Sequence, residues 1–477
     1  MLNHTIAQNR CLLLTILGLT LIKGILWSAI VPAWQAPDEH SHFSVVQFIA
    51  EFGKLPGPED DAKVSEEIHQ STVLLDLWRI AFHPKEQTVF SSGLDGPSES
   101  LIRDISWETR LAPSRQESTA MHLPPLYYIL GAGVYRLTYR GSILTRLFAV
   151  RQVSVMLALI TVWLAYRTTR LVFPTNAAMQ VTIPILVSFH PMFTFLGAVV
   201  NTDIMLIMLS SWATYLLLLI IHSGFTIKRA AVLGLVLGLG MLTKPQIWFL
   251  FAPLAVVTLL EIFRRRISVH RTLLLLTLLV VICLTIAGWS LIRNQRLNEN
   301  IFYSPRVSRY TPHLDASLVE FLWTYEQRLA GELFRGYWGV FGWLDTPMSQ
   351  ESYYLLRLTT LVALLGVGVH AGKVWAHRQF KDAHLSLLVH GIYVIGYITA
   401  FAILGFWHYR NVGGTQPSQG RYFLAPLVSQ MTLWTVGLLT FVPNRWYRVG
   451  HLALQTGMIL LNVVALFGAL IPRYYVP

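Results

Sequence analysis

Apolar residues in this chain come in long blocks, unlike the alternation of a half-buried strand or the single stripe of a surface helix. About eleven blocks approach the 20 residues that a membrane-crossing helix needs. They lie at roughly 11–33, 148–166, 175–198, 204–222, 230–243, 247–263, 272–292, 352–371, 385–405, 423–441 and 450–471. The first, CLLLTILGLTLIKGILWSAIVPA, follows Arg10 and has no small-residue cleavage site, so it reads as a retained helix. The pattern predicts an all-α fold: a polytopic bundle of about 11 transmembrane helices, forming one integral-membrane domain over residues 1–477.

One further stretch, PPLYYILGAGVYRLTY at 124–139, is apolar enough to span, and counting it would invert everything downstream. Basic residues on short loops decide the matter, because they stay on the cytoplasmic side. If 124–139 lies along the surface as an amphipathic helix, then Arg167, Arg170, Lys228, Arg229, Arg264, Arg265, Arg266, Lys373, Arg378, Lys381, Arg445 and Arg448 all face the cytoplasm. If it spans, all of them face outward. The first arrangement is expected: a multi-pass inner (plasma) membrane protein with its N-terminus cytoplasmic and its C-terminus extracytoplasmic. The long polar segments, about 34–147, 293–350 and 406–422, then share the extracytoplasmic side.

Composition agrees with the pattern. The 477 residues are 54% hydrophobic and only 13% charged, about half the 25% charge of a soluble protein, with a mean hydropathy of +0.50. A soluble domain and a disordered chain are both excluded. The net charge of +12 suggests nucleic acid until its distribution is read. Residues 38–117 hold 15 acidic and 7 basic residues, a charge of −8, while the remainder carries +20. The basic surplus is explained by membrane topology, so the expected partner is the bilayer and no nucleic acid is needed. Cys11 and Cys283 both sit in apolar runs, which leaves no disulfide framework or cysteine metal site.

Candidate chemistry begins where the first helix exits, in VPAWQAPDEHSHFSVVQFIAEFGKLP at 31–56. Pro37 suits the first turn of a helix, which would place Asp38 and Glu39 where the helix dipole favours carboxylates. Asp38 and His42, at i and i+4, would share a face, with His40 pointing elsewhere. A helix start decorated with acids accounts for the pattern structurally. The functional reading is a carboxylate base beside one or two imidazoles at the membrane surface. A divalent metal held by Asp38, Glu39 and His42 is a third reading.

A Pro-Asp-Glu-x-x-His-Phe pattern just outside a first transmembrane helix resembles the signature of the C-type (GT-C) integral-membrane glycosyltransferases. HLPPLYYIL at 122–130 resembles their His-Pro-Pro segment opening a juxtamembrane helix. NTD at 201–203, TKPQ at 243–246, YWGVFGWLDTP at 337–347 and QGRYFLAP at 419–426 are similar to a narrower group, the bacterial membrane-protein family of unknown function 2142. The matches run in order from about residue 31 to about 430. The resemblance implies a membrane bundle whose large first extracytoplasmic loop, 34–147, holds juxtamembrane helices. It also implies transfer of a sugar from a polyprenyl-phosphate donor to a glycan, lipid or protein acceptor, as in cell-envelope polysaccharide biosynthesis. In that superfamily an acidic residue of the first loop is the base, which falls here on Asp38, with Glu39 as neighbour or substitute.

Such a transfer needs a base for the acceptor hydroxyl and cations for the departing phosphate. Outward-facing cations are Arg151, Lys244, Arg335, Arg410 and Arg421. Arg151 resembles an arginine of protein O-mannosyltransferases that meets the lipid phosphate, although an arginine at a helix end also serves as an interfacial anchor. His42, His122 and Gln419 are further substrate-binding candidates from the matched segments. Asn201 and Asp203 start a span, for which capping is a sufficient reason, and a substrate role is the alternative. Trp338, Trp343 and Asp345 lie in an aromatic, glycine-rich loop that reads as a substrate lid or as part of the interfacial aromatic belt. Lys23 lies mid-helix in the first span and needs a partner.

A transporter or flippase of a lipid-linked saccharide is the competing class, and a non-catalytic cell-envelope assembly component is a third. Coupled transporters place carboxylates within their spans. Here only Asp203 and Glu261, among ten acids outside the first loop, touch a span, each at an end. No inverted repeat is evident either.

Overall fold

Each of the eleven apolar runs is helical in the computed structural model, which describes residues 2–57, 59–60, 62–86, 97–298, 313–325, 331–378, 381–412 and 419–476. Parts of the expected 34–147 and 293–350 loops, and of 406–422, lie outside the described residues. Eight helices are long and apolar enough to cross a membrane: Cys11–Ile30, Ile143–Val172, Asp203–Ser223, Pro245–Phe263, Val269–Arg296, Gln350–Ala376, Asp382–Asn411 and Asn444–Tyr475.

The other three runs make shorter helices, Ala177–Phe189, Ile227–Met241 and Leu427–Leu439, of 13, 15 and 13 residues. At 1.5 Å per residue each spans only about 20 Å of a ~30 Å hydrocarbon layer. Proline sets the limit in each case. Pro191 and Pro245 open new turns just beyond the first two helices, and Pro426 immediately precedes the third. All three proline ends lie at the end of the bundle that carries the long loops, and the candidate residues converge there.

Helix starts follow local capping rules. Ser142 accepts from the Thr145 N–H, Asn176 from Met179, Thr226 from Arg229 and Ser349 from Ser352. The stretch at 124–139 forms the 12-residue helix Leu126–Leu137, too short to span by itself. It buries Tyr127, Tyr128, Gly131, Ala132 and Tyr135 against helices Glu39–Phe52 and Ile143–Val172, and leaves Ile129, Leu130 and Leu137 exposed.

The first loop adds the antiparallel pair Lys63–Ser65 and Pro113–Glu117, and helix Glu66–Leu74. A buried network holds it to the bundle. Glu67 pairs with Arg110 and Arg146 and accepts from the Gln47 amide at 2.7 Å, while the Tyr135 hydroxyl donates to Glu51 at 2.6 Å. Lys23 finds its partners across the bundle. Its ammonium donates to the Ser188 carbonyl and to Thr194 Oγ1, and stands 4.5 Å over the Phe189 ring.

Between helices Gln350–Ala376 and Leu427–Leu439 the contact is glycine on glycine. A Cβ at Gly366 would fall on the Gly437 carbonyl, and one at Gly437 on the Ala363 carbonyl, so the two backbones touch as small residues allow in membranes. A Cβ at Gly368, on the same helix, meets nothing within 4 Å. Gly366→Ala should therefore lower the thermal midpoint in detergent, at a cost of about 1–3 kcal/mol. Gly368→Ala should leave it unchanged or raise it, and equal effects at the two positions would contradict the crossing.

Candidate active site

The acidic pair at the exit of the first helix divides its two carboxylates between different surroundings. Helix Glu39–Phe52 begins two residues after Pro37, where the sequence suggested its start, and Asp38 precedes it in the left-handed conformation, φ 63° and ψ 12°. A non-glycine residue held there costs of order 1 kcal/mol. This backbone turns the Asp38 side chain away from the first-turn N–H groups, and it makes no cap bond. Thr119 Oγ1 donates to Asp38 Oδ1 at 3.2 Å, and the side chain stays half-buried.

Glu39 points the other way and is fully buried. Its Oε1 accepts from Arg151 Nε at 2.9 Å and the Val200 N–H at 3.0 Å. Its Oε2 accepts from Arg151 Nη2 at 2.7 Å and the Trp34 N–H at 3.1 Å. Arg151 spends its remaining donors on the carbonyls of Ser28, Val31 and Pro32, at 2.8, 2.6 and 3.0 Å. All five guanidinium N–H groups are thereby used, so none is left for a phosphate oxygen. Glu39 has no accessible oxygen with which to take a proton. A divalent ion on Asp38, Glu39 and His42 does not fit, because both Glu39 oxygens are occupied. Among the described residues no three acids, histidines or cysteines converge as a metal site.

A second group of charges assembles from distant segments beside Asp38. Asp203 opens helix Asp203–Ser223, Lys244 ends the turn after helix Ile227–Met241, and Arg421 lies in the turn Gly420–Leu424. Lys244 Nζ pairs with Asp203 Oδ1, and Arg421 Nε lies 3.7 Å from Asp203 Oδ2. Lys244 also stands 5.2 Å over the Tyr422 ring. All three side chains are largely buried, at 16%, 8% and 6% exposure for Lys244, Asp203 and Arg421. Lys244 and Arg421 share the Asp203 carboxylate, Asp38 is a further electrostatic neighbour of Arg421, and the two cations are the groups suited to an anion.

His42 looks into this group. Its Nδ1 is 2.8 Å from the Tyr128 hydroxyl, and its electrostatic neighbours are Asp38, Lys244, Arg421 and Asp203. Burial, aided by Lys244 and Arg421, pushes the imidazole down to about 4 against the opposing pull of Asp38 and Asp203. His42 is therefore neutral at pH 7 and serves as a hydrogen-bonding group. His40, on the opposite face, is also lowered to about 4 by burial, with Asp38 opposing.

The matched segments pack on one another around these charges. The Leu126 N–H, after His122 and the paired prolines, donates to the Leu242 carbonyl at 3.0 Å, joining that turn to the one bearing Lys244. Asn201 donates to the Leu196 and Val199 carbonyls at 2.7 and 3.1 Å, and accepts from the Ile204 N–H at 3.1 Å, so its amide caps the helix that presents Asp203. Helix Gly331–Gly339 docks on the Gly420 turn, where a Cβ at Gly336 would come within 3.1 Å of the Gly420 nitrogen. That contact positions Arg421 and the neighbouring Gln419, whose Oε1 is buried without a hydrogen-bond partner among the described residues.

Other candidates stand apart. Trp338 is buried, stacked on His190 with centroids 4.8 Å apart. Asp345 is buried between Thr346, at 2.9 Å, and Arg473, at 3.5 Å. Neither presents a face to a sugar. Arg335 has Tyr353 as its electrostatic neighbour, and Arg410 binds the Leu314 carbonyl at 2.6 Å. Sequence reasoning did not single out Thr119, Tyr128 and Tyr422: the two tyrosines lie inside matched segments and Thr119 just before one, and nothing but that placement marked them.

The two depressed histidines give a signed pH dependence. The unfolded chain protonates His40 and His42 near 6.5, whereas the folded chain resists until about 4. Their contribution to stability is complete above 6.5 and is lost as pH falls toward about 4. The fall in thermal midpoint between about pH 7 and pH 5 should be shallower in His42→Gln than in wild type. Parallel slopes for wild type, His42→Gln and His40→Gln would contradict buried neutral imidazoles.

Comparison with known proteins bears on the whole chain. ArnT from Cupriavidus metallidurans in the apo state aligns over 96% of this chain and 75% of its own, at 14% identity and TM-score 0.50. The same protein bound to undecaprenyl phosphate aligns over 96% and 75%, at 15% identity and TM-score 0.49. The Archaeoglobus fulgidus oligosaccharyltransferase, in complex with Zn and sulfate, aligns over 97% and 53%, at 13% identity and TM-score 0.48. No curated protein matches the chain. The likeness to apo ArnT gives the fold, a GT-C-like membrane bundle. The family model of predicted membrane proteins DUF2142 matches residues 21–429. The chain therefore belongs to the DUF2142 family of membrane proteins, built on the GT-C fold.

Proposed function

We propose that this protein is a membrane glycosyltransferase that moves a sugar from a polyprenyl-phosphate donor to an acceptor hydroxyl at the extracytoplasmic face. The observation that carries the reading is the convergence of Asp38, His42, Lys244 and Arg421 around Asp203 at the loop-bearing end of the bundle. The basic short loops at the opposite end support a cytoplasmic position for that end. The N-terminus is then cytoplasmic, and the C-terminus shares the outer side with the site.

Asp38 is the general base. Its left-handed backbone frees its carboxylate from the helix, and Thr119 orients it. As Asp38 takes the proton, the acceptor oxygen attacks the anomeric carbon from the face opposite the phosphate, and the carbon–oxygen bond to phosphate breaks with inversion. The bonding electrons leave on the phosphate, where Lys244 and Arg421 stabilise the growing charge. Asp203 holds these two cations in place while the site is empty, and neutral His42 supplies a hydrogen bond without adding charge. Glu39 and Arg151 act as positioning residues that fix the start of the helix carrying His42.

The test uses protein purified in detergent and given polyprenyl-phosphate-linked sugars. Asp38→Asn should reduce transfer by about a hundredfold or more while leaving the thermal midpoint in place. Unchanged transfer would remove Asp38 as the base. Replacing either cation, as Lys244→Ala or Arg421→Ala, should lower kcat by about a hundredfold, with Arg421→Lys recovering part of it. A change confined to KM would show ground-state binding only, contrary to a role at the leaving phosphate.

A further inference from the structure

Helix Glu39–Phe52 presents two different faces beside Asp38. His42 looks toward the cations, whereas His40 looks into an aromatic cluster that the transfer chemistry does not use. The His40 ring lies 5.5 Å from Trp78 and 5.8 Å from Trp343, and Trp343 lies 5.6 Å from Trp78 and 5.3 Å from Phe82. Three segments far apart in sequence supply these rings. His40 and Trp343 form the buried floor, while Trp78 and Phe82 are 50% and 58% exposed.

The floor and the loop that follows the exposed Trp78 are tied down. Trp343 Nε1 donates to the Trp34 carbonyl at 2.9 Å. Behind the Trp78 loop, Arg473 donates to the carbonyls of Ile80, His83 and Glu86 at 3.3, 3.0 and 2.8 Å. Among the described non-glycine residues, seven have positive φ, and five of them (Trp34, Asp38, Asp76, Phe82 and Leu344) lie in the segments that build this cluster. Strain gathered at one place, with the backbone tied down around it, is characteristic of a functional surface.

We infer that Trp78 and Phe82 form the acceptor subsite, a stacking platform for a neutral saccharide of the acceptor. The inference rests on the transferase reading above. Flat exposed rings suit the apolar faces of a pyranose, and the rim of Asp76, Arg79 and Glu86 offers hydrogen-bonding groups to its hydroxyls. Two of those three rim groups are carboxylates, and the surrounding stretch 38–117 carries −8. That charge disfavours an anionic lipid surface as the occupant. Asp38 stands between the two faces, as an electrostatic neighbour of both His40 and His42. A base so placed takes its proton from a hydroxyl on the aromatic side, while the phosphate leaves on the cationic side.

The experiment separates sugar binding from transfer. Detergent-purified full-length protein is applied to an array of neutral and amino-sugar oligosaccharides, comparing wild type, Trp78→Ala/Phe82→Ala and Asp38→Asn. Wild type and Asp38→Asn should bind the same saccharides, and the double variant should bind them at least about tenfold more weakly. Co-flotation of the same proteins with anionic and zwitterionic vesicles should be unchanged by the double substitution. No bound saccharide with wild type, or equal binding by the double variant, overturns the subsite. A loss confined to vesicle co-flotation does so as well, since it makes the rings an interfacial anchor. Failure of Asp38→Asn to reduce transfer, with sugar binding intact, counts against the base and leaves the platform standing.

Discussion

The site depends on one buried ion pair, Glu39 with Arg151. Burying two charges is costly, and their attraction repays it only when every remaining hydrogen-bonding position is filled. Here it is filled on both sides: four donors on the two Glu39 oxygens, and five acceptors for the Arg151 N–H groups. Three of the acceptors are carbonyls at the exit of the first helix, and two of the donors are N–H groups of Trp34 and Val200. One pair thus joins the exit of the first helix, the start of the juxtamembrane helix, the helix Ile143–Val172 and the turn before Asp203. Removing either partner would leave the other charged and buried, at a cost of about 3–5 kcal/mol.

With Glu39 drawn inward, its neighbour has to turn outward. The left-handed backbone at Asp38 follows from joining an inward Glu39 to a chain that has just left the first helix. Proline contributes the second half of the geometry. Helices ending near Pro191, Pro245 and Pro426 stop short of the loop-bearing end, and the turns beyond two of them carry Lys244 and Arg421 toward Asp203. Short helices survive in a membrane protein only where neighbouring protein covers the freed backbone groups. The packing of the 122–126 turn on Leu242, and of Gly336 on Gly420, supplies such cover.

Much of this was legible before the structure. Block hydropathy located the eleven long apolar runs that are helical among the described residues, because a twenty-residue apolar run has few alternatives. The length of each helix was harder to read, since three runs that look alike in hydropathy are cut by prolines. Asp38, Lys244, Asp203 and Arg421 were visible as charges that break the apolar pattern at one end of their spans. The different fates of Asp38 and Glu39 were not visible, because adjacent acids in a helix start read alike until the partner at Arg151 is known. Trp338 and Asp345 looked like sugar-binding residues by type alone, and burial against His190 and Arg473 gives them a packing role instead. Trp78 carried no signal, since one tryptophan in a polar loop is unremarkable until Trp343 is folded beneath it.

The most direct test of this account is a cryo-EM structure of the full chain with a polyprenyl phosphate. The account predicts the phosphate against Lys244 Nζ and the Arg421 guanidinium, with Glu39 still paired to Arg151 and the Asp38 carboxylate facing the vacant acceptor side. A phosphate bound to Arg151 with the Glu39 pair broken, or seated away from Lys244 and Arg421, would contradict it.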